Sequence, residues 1–135
     1  MKRMGLVMMG CLLMAAPVAA EKTDEAVAAA DRWLAVVDAK QYEKSWDEAA
    51  EYFKKAIQKP KWIEALQAVR ASLGAVTSRQ RQSARYTTEL PGIRDGEYVV
   101  IQYKTAFANK RSAVEIVTPM READGTWKVS GYYIK

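Results

Sequence analysis

At Gly74 the spacing of apolar residues changes, and that change leaves the chain few architectures. Before it, apolar residues recur every three or four positions, as on one face of a helix. After it they alternate, as in a strand with one buried face. Val27, Ala30, Leu34 and Val37, joined by Trp33, form the first stripe. Thr23 is placed to cap that helix, with Asp24 and Glu25 in its first turn. The phase slips over residues 38–41 and restarts as Tyr42, Trp46, Ala49, Phe53 and Ile57, which predicts a second helix. Lys44 with Glu48, and Glu51 with Lys55, have the i,i+4 spacing of surface ion pairs. Pro60 suits the first turn of a third helix that buries Trp62 or Ile63, Leu66, Val69 and Leu73, and Gly74 stands just past its end.

Four strands are predicted near residues 76–88, 98–108, 112–122 and 126–134. The turns between them fall at Pro91-Gly92 with Asp95-Gly96, at Asn109-Lys110 and at Asp124-Gly125. About three N-terminal helices over residues 23–73, packed on a curved four-stranded antiparallel meander, make an α+β fold.

The N-terminus predicts export. Lys2 and Arg3 precede an apolar run over residues 5–16, and Val18-Ala19-Ala20 supplies small residues where a signal peptidase reads. Cleavage is expected after Ala20, leaving residues 21–135 as a single domain in the periplasm or outside the cell. The run is shorter than the ~20 residues of a membrane-spanning helix. It also continues past Cys11 through Leu13 and Met14, which argues against acylation at Gly10-Cys11. Losing Lys2 and Arg3 lowers the net charge from +5 to +3, too little to point to nucleic acid.

The only cysteine falls in this leader, and there is no histidine. Disulfides, cysteine nucleophiles, Cys/His zinc sites and a Ser-His-Asp relay are thereby excluded from the mature chain. No phosphate loop or dinucleotide turn occurs, so no cofactor and no metal are expected.

Within the third predicted strand Glu115 stands among apolar neighbours. Two-residue turns at Asn109-Lys110 and Asp124-Gly125 would set Tyr103 opposite Ile116, Ile101 opposite Thr118 and Val99 opposite Met120. They would also set Met120 opposite Val129, Thr118 opposite Gly131 and Ile116 opposite Tyr133. One apolar face results, and Glu115 meets Lys104 on the other as a cross-strand ion pair worth roughly 0.2–1 kcal/mol. The alternative is a three-residue loop, Ala123-Asp124-Gly125, closed by a left-handed glycine. It turns Glu115 toward Tyr133 and the interior, where burial raises a carboxyl pKa and makes a candidate base. Arg79, Arg81 and Arg85 share strand parity, which predicts either a cationic stripe for an anion or acidic partner, or a solvated edge that discourages strand pairing.

The segments WLAVVDAKQYEKSWDEAAEYFK, LGAVTSRQ, LPGIRDGEYVVIQYKTAFANK and DGTWKVSGYYI resemble the family catalogued as domain of unknown function 4019, which comprises small exported bacterial proteins. The pattern is also similar to nuclear-transport-factor-2-like and cystatin-like folds, and this resemblance implies a sheet curved around helices, often with a cone-shaped cavity. Some proteins of those folds are isomerases or dehydratases that use an Asp or His in the cone. The family itself implies no catalytic residues.

The expected function is a non-enzymatic exported module, monomer or homodimer, that binds a small apolar ligand or an envelope protein. Its site is expected at the mouth of the helix–sheet cavity, lined by Tyr103, Phe107, Trp127 and Tyr133. Two alternatives stand beside it. One is an isomerase- or hydrolase-like enzyme with Glu115 as base and Tyr103 or Tyr133 as hydrogen-bond donor. The other is an envelope interaction protein using Arg79, Arg81 and Arg85 on an anionic partner.

Overall fold

The computed structural model describes residues 18–135. Lys2, Arg3, Cys11 and the apolar run of the expected leader lie outside the described residues. Helix α1 (Val18–Asp38) turns Val27, Ala30, Trp33, Leu34 and Val37 inward, the stripe its sequence predicts, and buries Ala26 beside them. Thr23 does not cap it: the hydroxyl donates to the Ala19 carbonyl at 2.7 Å, one turn back inside the helix.

The predicted second helix is two short ones, α2 (Tyr42–Asp47) and α3 (Glu51–Ala56), so the described residues hold four helices, not three. The break has a packing cause. Ala49 and Ala50 are wholly buried, and the Ala50 amide donates to the Val129 carbonyl at 2.8 Å, satisfying a sheet edge in place of a helical turn. Lys44 and Glu48 pair as expected at 3.7 Å, whereas Glu51 takes Lys54 at 3.0 Å instead of Lys55.

Helix α4 (Lys59–Leu73) has Pro60 in its first turn and ends at Gly74, whose φ of 78° is left-handed. It buries Trp62, Leu66 and Arg70; Val69 is 44% exposed, so the inward row carries an arginine where the apolar pattern predicts valine. Tryptophan and phenylalanine lock the helices together. Phe53 meets Trp62 edge-on at 4.7 Å, and the Trp33 and Trp62 indoles donate to the carbonyl and hydroxyl of buried Ser45 at 2.8 and 3.0 Å.

Strands β1 (Val76–Thr87), β2 (Tyr98–Phe107), β3 (Lys110–Arg121) and β4 (Trp127–Ile134) pair in chain order as an antiparallel meander, and the helices cover one face. The register departs from two tight turns. The first loop is Ala108-Asn109, closed by Phe107 against Lys110, and β3 then bulges before Ala113 meets Thr105. Tyr103 therefore faces Glu115, not Ile116, and Ile101 faces Val117, not Thr118. At the second loop Glu122 and Thr126 close Ala123-Asp124-Gly125, with Gly125 at φ 86°. A bulge between the Thr118 and Pro119 pairs then restores Thr118 to Gly131 and Ile116 to Tyr133.

A charged hub ties the start of α1 to the sheet. Glu97 accepts from Lys22 at 2.5 Å, Tyr86 at 2.9 Å and Arg121 at 3.0 Å. The hydrogen bonds of Lys22 and then Arg121 hold its pKa down at about 2, against an ordinary 4.5. A depressed folded pKa means stability that is complete above pH 4.5 and is lost as pH falls toward about 2. Denaturant midpoints measured across that window should fall less steeply for Glu97→Gln than for the parent, with the two curves meeting at the acid end. Parallel curves would refute the hub.

Candidate functional site

Glu115 has no exposed surface and lies on the helix-facing side of β3, between buried Ala113 and Val117. The expected ion pair with Lys104 does not form: Lys104 faces Val114 on the open side. The bulge in β3 is the cause, since it leaves the pairing one residue away from the expected register and so exchanges the two faces of β3 relative to β2.

Four donors meet the Glu115 carboxylate. Its Oε1 accepts from Arg79 Nε at 2.7 Å and from Thr105 Oγ1 at 2.5 Å. Its Oε2 accepts a short hydrogen bond from the Tyr132 hydroxyl and a long one from Arg70 Nη2 at 3.5 Å. Both guanidiniums also reach Asp38 at the end of α1. Arg79 grips it with two nitrogens at 2.7 and 3.1 Å, and Arg70 Nη2 donates to it at 3.0 Å. Asp38, Arg70, Glu115 and Arg79 thus form a closed ring of alternating charge whose formal sum is zero.

Burial shapes the titration of these groups. It pulls the Asp38 pKa up, but the hydrogen bonds and charges of Arg79, and then Arg70, outweigh it and leave the carboxyl below its ordinary value. It opposes the Arg79 charge as well, and hydrogen bonds to Asp38 and Glu115 more than compensate, so Arg79 is raised. Burial, then the Glu115 charge, pushes the Tyr132 phenol up.

This ring does not make a general base. An ionised carboxylate offers about four lone-pair directions, and donors occupy each one at Glu115, in a position no solvent reaches. The Tyr103 hydroxyl donates to Asp31 at 2.7 Å and is raised by burial and that bond, so it serves another partner.

The four aromatics expected to line one cavity are not brought together around one. Tyr103, Phe107 and Trp127 are packed in the interior. Tyr133 is 56% exposed and pairs with Ile116 on the open face, so the tyrosine that enters the core is Tyr132. The arginine stripe is also broken. A bulge at Gln82 lets Arg79 and Arg81 pair with Thr105 and Tyr103 on the helix side, while Arg85 pairs with Val100 on the other. Asp38, Arg70, Thr105 and Tyr132 are the functional candidates that pattern reading misses. Three had a signal: Arg70 continues the Trp62–Leu66 row, Thr105 stands between inward Tyr103 and Phe107, and Tyr132 neighbours a residue forced outward.

Beside the ring lies a cleft of about 710 Å³ between the end of α1, the start of α2, the last turns of α4 and the start of β1. Val37, Ala71, Ala75 and Val76 give it apolar walls, Asp38 and Arg70 join it to the ring, and Lys40, Tyr42 and Gln67 add polar groups. Lys40 has φ 62° as the left-handed residue that closes α1: its amide donates to the Val37 carbonyl at 2.9 Å and the Gln41 amide to the Val36 carbonyl at 3.1 Å. Among the described residues its ammonium has no carboxylate within ion-pair distance. Nor do three His, Cys, Asp or Glu side chains gather anywhere among those residues as a metal would require.

No curated protein matches the sequence. A family model described as a protein of unknown function, DUF4019, matches residues 29–132, a span that contains all four members of the charged ring and Tyr132. The chain belongs to that family.

Proposed function

We propose that the protein is an exported, non-catalytic binding module seated on this cleft, and that its ligand is a small, mostly apolar molecule ending in an acid group. Lys40 is the observation that carries the reading. Its left-handed backbone closes α1, and its side chain places a cation without an ion-pair partner in the lining of an apolar-walled cleft. The cleft volume is in the range of small-molecule sites, roughly 300–1,000 Å³. The ring supplies a rigid floor whose own charges are already neutralised, which leaves Lys40 to choose the ligand's charge.

The test separates binding from folding. Octanoate and phenylacetate are titrated into the labelled protein while the amide signals of Val37, Lys40, Ala71 and Val76 are followed. Saturable shifts are expected there. Lys40→Gly should weaken binding by about tenfold, equivalent to ~1.4 kcal/mol, while melting no lower than the parent. Unmoved signals, or unchanged affinity in Lys40→Gly, would remove this proposal.

A further inference from the structure

We infer a second site, for a carboxylate group, in a small hollow between α1 and β4 that Arg32, Trp33, Glu48, Trp127 and Lys128 help to line. The starting point is a missing acceptor. Three of the four tryptophans have a partner for the indole N–H: Trp33 and Trp62 at Ser45, and Trp46 at the Ile57 carbonyl, 2.9 Å away. Trp127 is only 8% exposed, yet its indole nitrogen is buried without any. Buried polar groups are satisfied in the great majority of cases, which sets the Trp127 indole apart from the other three.

The surroundings say which acceptor would suit it. Neither Arg32 nor Lys128 has a carboxylate within ion-pair distance among the described residues, and the nearby acid, Glu48, is engaged by Lys44 at 3.7 Å. Trp127 and two cations without ion-pair partners therefore line one hollow. An arginine fork and an ammonium together suit a carboxylate, and the Glu48 charge disfavours a dianion such as phosphate. The hollow measures about 170 Å³. At ~30 Å³ per water it has room for roughly five or six non-hydrogen atoms, the size of a short carboxylic acid or a peptide terminus. Because the indole nitrogen has no accessible surface, the acid would reach it only as the long Arg32 and Lys128 side chains swing aside. This site lies apart from the Lys40 cleft and does not depend on it.

The probe is acetate, with the Trp127 indole cross-peak as readout, assigned by its loss in Trp127→Phe. Acetate should move that peak saturably. Arg32→Gln and Lys128→Gln should each weaken the response about tenfold, as loss of a charged hydrogen bond does, and Lys40→Gly should leave it unchanged. N-acetylglycine and its amide distinguish the source: binding of the acid alone points to a peptide terminus, and binding of acetate with exclusion of N-acetylglycine points to a free small acid. The site is overturned if acetate leaves the peak in place, if chloride moves it equally, or if Arg32→Gln and Lys128→Gln respond like the parent. It is also overturned if Glu48→Gln alone shifts the peak to a new position and abolishes the acetate response, because Glu48 would then be the missing acceptor.

Discussion

Replacing Glu115 by methionine is expected to cost about 3–5 kcal/mol of folding stability, the usual loss when one partner of a buried charge network is removed. The wild-type ring has two cations and two anions. Without Glu115, Arg70 and Arg79 compete for Asp38 alone, and the Thr105 and Tyr132 hydroxyls lose their shared acceptor. Against a domain stability of roughly 5–15 kcal/mol, this variant stands near the edge of folding. Removing Arg70 as well should restore stability, because the bidentate Asp38–Arg79 pair is left neutral and intact. The double variant Arg70→Met, Glu115→Met is therefore expected to unfold at a higher urea concentration than Glu115→Met. A single-variant loss below about 1 kcal/mol would place Glu115 among ordinary surface pairs, and a double variant weaker than the single would show that the ring is not held by charge balance.

The sequence pattern makes much of this fold readable, and its gaps have physical causes. The change of period at Gly74 and the Gly and Asn turns give four strands and a helical half, because those signals are local. The break between α2 and α3 is not local: it exists because β4 needs a donor at Val129 and two alanines can approach it. Parity within a strand is local too, so Val99, Ile101 and Tyr103 are read correctly as inward. Parity between strands depends on bulges, and those at Gln82 and in β3 carry no glycine or proline to announce them, whereas the one in β4 lies beside Gly131 and Pro119. The ring was hidden for a related reason. Arg70, Thr105 and Glu115 each look like a single polar exception at a core position, and only the tertiary fold shows that the exceptions neutralise one another.

Gly74→Ala is expected to cost about 2–4 kcal/mol, from backbone strain and overpacking together. Gly74 has φ 78° and ψ −169°, a region open essentially to glycine alone. A Cβ there would also stand 3.0 Å from the Ala108 Cβ and 3.2 Å from the Asn109 side-chain nitrogen. The contact is where α4 sets the sheet register. The Asn109 amide donates to the Leu73 carbonyl at 2.9 Å, its side chain to the Ser72 carbonyl at 3.1 Å, and the Ala108 amide to the Ala75 carbonyl at 2.8 Å. Those bonds hold the loop at Ala108-Asn109, one residue earlier than the sequence suggests; this moves the pairing by two, and the β3 bulge beside it takes one back, which turns Glu115 inward. Unfolding by urea should show the full loss in Gly74→Ala. Adding Ala108→Gly should recover the crowding part while the backbone part stays lost. Complete recovery would mean that the left-handed conformation costs nothing, and a loss under about 0.5 kcal/mol would mean that α4 does not set the position of this turn.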